Sequence, residues 1–192
     1  MPLSLQIPGR VLVGNVLFVV CCAFYIGWWV LRFRPNNPVM GVRSGWLLIP
    51  AAVAGIVGVV LIIMGINSLG SEHALFRNGV VLMGWVLAYM ASYFVTRWLF
   101  DRPVTSELIL ITGWAALALA EVNTLYGVQI FSRVATVVLI VVIGIVLVAC
   151  LVCYVLYYRL DARMGFIDGM IPLILTGLFL AGVGICLAVK SF

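Results

Sequence analysis

The chain has 192 residues, of which 66% are hydrophobic and 9% are charged, and its formal net charge is +5. Its mean hydropathy is +1.28. Because a soluble domain is about half apolar and about a quarter charged, this composition excludes a water-soluble globule and predicts a single membrane domain over residues 1–192. The basic residues flank apolar stretches, which favours anionic lipid headgroups rather than nucleic acid as their counter-charge.

Six apolar stretches of about twenty residues occupy nearly the whole chain. A helix rises about 1.5 Å per residue and the hydrocarbon layer is about 30 Å thick, so each stretch is long enough to cross a bilayer. The sequence therefore predicts an all-α fold, a bundle of six transmembrane helices. The predicted spans are residues 11–33, 45–69, 80–100, 108–126, 134–158 and 170–189. We expect the first span to be retained rather than cleaved, because no Lys or Arg precedes Arg10 and no small-residue cleavage site follows the span.

Polar residues and prolines mark where the predicted helices begin. Four polar residues each precede an apolar run and are expected to cap a first turn: Ser44, Asn78, Thr105 and Asp168. Pro50 falls inside the second span, so we expect it to remove a backbone hydrogen bond and bend that helix. An ordinary kink is favoured there over a gating hinge. Pro172 lies close enough to the predicted start of the last span to be tolerated.

Small side chains form stripes on three of the spans. The stripes are Ala51, Gly55 and Gly58 in the second span, Ala115, Ala116, Ala118 and Ala120 in the fourth, and Gly177, Ala181 and Gly184 in the sixth. Lipid offers no hydrophobic drive between helices, so close backbone approach through small residues must hold a membrane bundle together. We expect these stripes to be packing faces, either within the bundle or between copies of the chain.

The distribution of Arg and Lys predicts the orientation. Seven basic residues lie in or beside the first, third and fifth loops, against four on the other side. The positive-inside rule therefore places these odd loops in the cytoplasm and both termini outside the cell, in what we expect to be the plasma membrane. Six aromatic residues fall at the predicted inner boundary, where amphipathic rings favour the headgroup level: Trp28, Trp29, Trp46, Trp98, Tyr157 and Tyr158.

Glu121 is the one acidic residue well inside a predicted span. A charged side chain near the bilayer centre costs about 2.5–3.5 kcal/mol on insertion scales, so we expect Glu121 to face protein or water. Asn15 and Asn67 are predicted at a similar outer depth, Asn123 follows in sequence, and Lys190 is a candidate counter-ion. The functional hypothesis is a polar pocket that opens outward, in which Glu121 binds a cation or exchanges a proton. The alternative is that Glu121 supports a polar helix contact or reaches the outer headgroups.

The third span carries an aromatic stripe, Trp85, Tyr89 and Tyr93, at four-residue spacing. This stripe is a candidate lining for a substrate cavity through stacking or cation–π contact, although aromatic rows at helical spacing more often form bundle core. Cys150 and Cys153 form a CxxC on one helical face. Because no basic group lies nearby to stabilise a thiolate, we interpret both as packing residues.

The sequence lacks the patterns that identify common enzymes and cofactor proteins. His73 is the only histidine and Lys190 the only lysine, and the sequence contains no HExxH, GxSxG or phosphate-binding loop. We therefore expect no catalytic constellation, no cofactor and no metal. The leading function is a transporter or channel for a small solute or ion. The alternatives are a non-catalytic membrane subunit or sensor that packs against partner membrane proteins, and a lipid-active enzyme. Since six short spans enclose little interior, we expect a homo-oligomer or a larger assembly.

Overall fold

The computed structural model describes residues 9–35, 45–69, 80–100 and 106–191, and within these ranges all regular structure is helical. The predicted all-α class is confirmed. The helices are α1 Gly9–Phe33, α2 Leu48–Ser68, α3 Val80–Phe100, α4 Ser106–Gly127, α5 Arg133–Leu156, a 3-10 helix at Tyr157–Arg159, and α6 Ala162–Ser191.

Five of these helices are long and apolar enough to cross a bilayer: α1, α2, α4, α5 and α6. In α3 the apolar helical stretch is shorter and runs over Met83–Val95. The described residues therefore contain five candidate spans, which is consistent with a helical membrane bundle. A sixth span at α3 remains a prediction.

The helices group into two compact units. The first unit comprises residues 1–70 and 173–192, which contain α1, α2 and most of α6. The second comprises residues 71–172, which contain α3, α4, α5 and the beginning of α6. The prediction that the chain forms a single membrane domain stays a prediction.

In the first unit α1 and α2 approach each other through glycines. A methyl group added to Gly14 would lie 2.9 Å from the carbonyl oxygen of Gly58, and one added to Gly58 would lie 3.0 Å from the carbonyl oxygen of Gly14. Farther along the pair, a methyl group on Gly65 would lie 2.5 Å from a Val11 methyl. The two backbones are therefore in direct contact, as the small-residue stripe of the second span predicts.

The second half of α6 also packs on α1 through glycines. A methyl group on Gly177 would lie 3.4 Å from Cys22 Cβ, and one on Gly184 would lie 3.9 Å from Asn15 Cβ. The Thr176 hydroxyl lies 3.9 Å from the Cys22 sulfur and is bonded to the Leu173 carbonyl at 3.2 Å. These contacts place the predicted glycine stripe of the last span against α1.

In the second unit α4 is the most enclosed helix. In the most apolar 18-residue stretch of α4, 61% of the residues are buried, whereas the corresponding share in the other four candidate spans is 22–33%. It contacts both α3 and α5. Small alanines along α4, among them Ala115, Ala118 and Ala120, are buried and allow its neighbours to approach. A polar side chain on α4 is therefore enclosed by protein more readily than one on any other span.

The two prolines differ from prediction in their effect. Because α2 begins at Leu48, Pro50 lies in its first turn, where the missing N–H has no intrahelical partner to lose, so the expected bend has no cause there. Conversely, α6 begins at Ala162 rather than near residue 170, which places Pro172 inside the helix.

The prediction that Asp168 caps the last span is wrong for the same reason. Six helical residues precede Asp168, and its side chain is buried. Hydropathy predicts where the strongly apolar stretch begins, but this helix begins before that stretch. Its first turn is already formed at the hydrogen bond from the Gly165 amide to the Asp161 carbonyl, 2.8 Å long. The other three predicted caps lie outside the described residues: Ser44, Asn78 and Thr105.

Candidate functional site

Glu121 lies in the enclosed part of α4, where only 1% of its surface is exposed. On the same helical face, one turn on, Thr124 is fully buried, and two turns back lies the buried Trp114. The carboxyl group is therefore surrounded by protein. A carboxyl in such a place is unfavourable unless it is bonded, protonated or bound to a cation.

Two threonines supply hydroxyl groups along buried α4. Thr124 donates to the Ala120 carbonyl at 2.8 Å, and Thr112 donates to the Leu108 carbonyl at 2.8 Å. Each hydroxyl uses its hydrogen within the helix and keeps oxygen lone pairs as acceptors. Thr124 thus contributes an acceptor oxygen one turn from Glu121, which suits a cation or a protonated carboxyl better than an anion.

Asn123 does not share the face of Glu121, because two successive positions on a helix point to nearly opposite sides. It lines an open cleft of about 560 Å³ where α4 ends and α5 begins. The residues that line this cleft are Asn123, Tyr126, Gly127, Gln129, Phe131, Ser132 and Arg133. Glu121 is not among them, so the structure separates two residues that were predicted to serve one pocket.

The cleft is built on a well-defined turn between α4 and α5. The Ile130 amide donates to the Leu125 carbonyl at 2.9 Å and the Gln129 amide to the Tyr126 carbonyl at 2.9 Å, which is a Schellman motif. Gln129 occupies its left-handed position, with φ of 61°. At the other side Ser132 caps α5, since its hydroxyl accepts from the Ala135 amide at 3.2 Å. The turn holds its polar side chains on a fixed backbone.

The aromatic stripe of α3 packs toward α4. Trp85 donates from Nε1 to the Thr112 hydroxyl at 3.3 Å, and its ring lies 6.5 Å from that of Tyr89. Tyr93, one turn further, bonds through its hydroxyl to the Arg97 guanidinium at 3.0 Å. The contact between Trp85 and Thr112 favours the core-packing alternative for this stripe over a cavity lining.

The remaining predicted site residues belong to the first unit. Asn15 is fully buried in α1 and donates to the Val11 carbonyl at 2.9 Å, whereas Asn67 is exposed near the end of α2. The backbone of Lys190 continues α6, and its side chain lies outside the described residues. The burial of Asn15 fits a polar helix contact, and the exposure of Asn67 removes it from any enclosed site.

Sequence reasoning missed Asp168 as a buried acid. Its side chain is 8% exposed and accepts a hydrogen bond from the thiol of Cys153 on α5. The signal was present in the sequence, because apolar residues stand on both sides of Asp168, from Phe166 to Ile171. A capping residue would instead follow a polar loop.

The described residues contain no cluster of three or more His, Cys, Asp or Glu side chains arranged to hold a metal ion. The chain matches no protein-family model, no curated protein and no solved structure.

Proposed function

We propose that this protein is a membrane transporter or channel for a small cation, with the Glu121 carboxyl as the binding group. The observation that carries the proposal is the burial of this acid in the most enclosed helix. An intramembrane acid enclosed by protein is retained at a cost of about 2.5–3.5 kcal/mol relative to apolar residues. Binding and releasing a cation or a proton gives such a group a role that packing alone does not require.

The proposal includes six spans, with α3 as the third. Its 21 residues over Val80–Phe100 would cross about 30 Å of hydrocarbon at 1.5 Å per residue. With both termini outside, the turn between α4 and α5 lies on the outer side and Glu121 lies in the outer half. The imbalance of seven basic residues against four supports this orientation in the plasma membrane.

A second candidate is a non-catalytic membrane subunit or sensor. It is favoured by the position of the described cleft, which lies at the α4–α5 turn and does not include Glu121. In such a protein the carboxyl would be a fixed polar contact between helices. The two candidates differ in what happens when the charge is removed and the shape is kept.

The test is ion flux in proteoliposomes that contain purified wild type, Glu121→Gln or Glu107→Gln. Glu107 is an exposed acid on the same helix and supplies the matched control. A hydrogen bond to a charged group contributes about 1.5–3 kcal/mol, so the Glu121 variant should lose about tenfold or more of the flux. Glu107→Gln should transport like wild type.

Folding is measured in parallel, as far-ultraviolet circular dichroism and elution from a sizing column. Wild-type flux that Glu121→Gln leaves unchanged, with both proteins folded, would contradict the assigned role of the carboxyl. Wild-type protein that moves neither protons nor alkali cations under an imposed potential would contradict the transport function and favour the subunit.

A further inference from the structure

The buried end of the second unit, where α5 meets the beginning of α6, holds an acid that the proposed function does not yet use. Asp168 is 8% exposed and receives the Cys153 thiol hydrogen. Cys150, Cys153 and Tyr154 lie on the buried face of α5. A thiol is a weak hydrogen-bond donor.

Pro172 changes the backbone at the same place. It stands inside α6, four residues after Asp168, and has no N–H to donate to the Asp168 carbonyl. Prolines of this kind are tolerated in membrane helices where other groups or ordered waters satisfy the carbonyl. The Asp168 carboxyl and the backbone irregularity caused by Pro172 thus lie within about one turn of each other in α6.

Asp168 and Glu121 lie at different distances from the α4–α5 turn. Glu121 lies six residues before the end of α4, about 9 Å from the α4–α5 turn. Cys153, the partner of Asp168, lies twenty residues into α5, about 30 Å from the same turn. The two acids are thus about 20 Å apart in depth, so a hydrocarbon layer about 30 Å thick has one of them in each half.

The stretch between these two depths is largely apolar on the buried faces of both helices, with Thr112 of α4 as a buried polar residue. Ile143 and Val146 of α5 are buried there, as are Leu117 and Ala118 of α4. Each acid is therefore separated from the other by a largely apolar layer and lies near its own side of the membrane. This is the arrangement expected of two carboxyls that exchange with opposite aqueous phases.

We propose that Asp168 is a second ion-handling carboxyl and that the ion is a proton. The inference rests on the proposed transport function and deepens it by naming the ion. A proton needs no cavity, and the described cleft is lined by neither Glu121 nor Asp168. Asp168 takes one proton from water on the inner side, forming one O–H bond, and returns it to water when the bond breaks. No group is oxidised or reduced.

Among the described residues, the Cys153 thiol of α5 is a titratable group shown in contact with Asp168. Cys150 and Tyr154 lie on the same buried face of α5. Tyr157 follows on the 3-10 helix, where it lies beside Gly165 of α6.

The first test compares proton flux in proteoliposomes of Asp168→Asn, Asp168→Glu and Asp161→Asn. Asp161 is an exposed acid seven residues earlier and supplies the matched control. We expect Asp168→Asn to lose about tenfold or more of the flux, Asp168→Glu to restore most of it, and Asp161→Asn to behave like wild type. A folded Asp168→Asn protein with wild-type flux would overturn the inference.

The second test uses the unmutated protein and does not depend on transport. A membrane-permeant carbodiimide modifies protonated carboxyls in apolar surroundings, and mass spectrometry locates the adduct. We expect pH-dependent modification at Asp168 and none at Asp161; an Asp168 that is unmodified between pH 5 and pH 8 would overturn the inference. If the wild type moves no ion while Asp168 is modified, the transport function fails and the protonatable site stands.

Discussion

Gly14→Ala is the change that most directly tests the close approach of α1 and α2. Its new methyl group would lie 2.7 Å from Ile62 Cγ1 and 2.9 Å from the Gly58 carbonyl oxygen, whereas ordinary contacts begin at 3.4 Å. The Gly58 carbonyl oxygen belongs to the backbone and cannot rotate away, so the two helices must separate by about 0.5 Å. This separation forfeits about a quarter of the dispersion energy of the surrounding contacts. Overpacking of this kind costs about 1–3 kcal/mol of folding free energy.

The measurement is the free energy of unfolding in mixed micelles, followed by circular dichroism as a denaturing detergent is added. Gly144→Ala in α5 is the matched control, since a methyl group there would meet nothing within 4 Å. Alanine gains about 1 kcal/mol in helix propensity at either site, so the difference between the two variants isolates the steric cost. Equal unfolding free energies for Gly14→Ala and Gly144→Ala would refute the glycine-mediated contact.

Two further predictions concern the α4–α5 turn and the orientation. Gln129→Gly should raise the free energy of unfolding by about 1 kcal/mol, because glycine adopts the left-handed conformation without strain; Gln129→Ala should give no such gain, and an equal gain would contradict the strain. Single cysteines at the exposed positions Gln129 and Ala162, in a background without native cysteines, should react with an impermeant thiol reagent from outside only at position 129. The reverse pattern would invert the topology.

Hydropathy and small residues predicted much of this fold, because both describe how a helix meets lipid and its neighbours. Gly58 lies at a helix contact as its stripe predicts, and Glu121 is enclosed as the cost of a membrane-embedded charge predicts. Helix ends were less predictable.

The site could be predicted only in part, because hydropathy does not say where a helix begins. With α6 starting at Ala162, Asp168 changes from an expected cap into a buried acid and Pro172 from a tolerated first-turn residue into an interior one. Likewise, Asn67 was predicted to lie near Glu121 because the two residues have a similar depth in their spans. Asn67 is exposed, however, because exposure also depends on how α2 is rotated about its axis. Rotation about the helix axis is set by packing, which a single sequence does not specify.

The central claim is that the Glu121 carboxyl carries the transported ion. Solid-supported-membrane electrophysiology on proteoliposomes measures the charge that moves when the pH or the cation concentration is stepped. We predict a current for wild type and for Glu107→Gln, and its loss by about tenfold or more in folded Glu121→Gln. A current of wild-type size from folded Glu121→Gln would contradict the account.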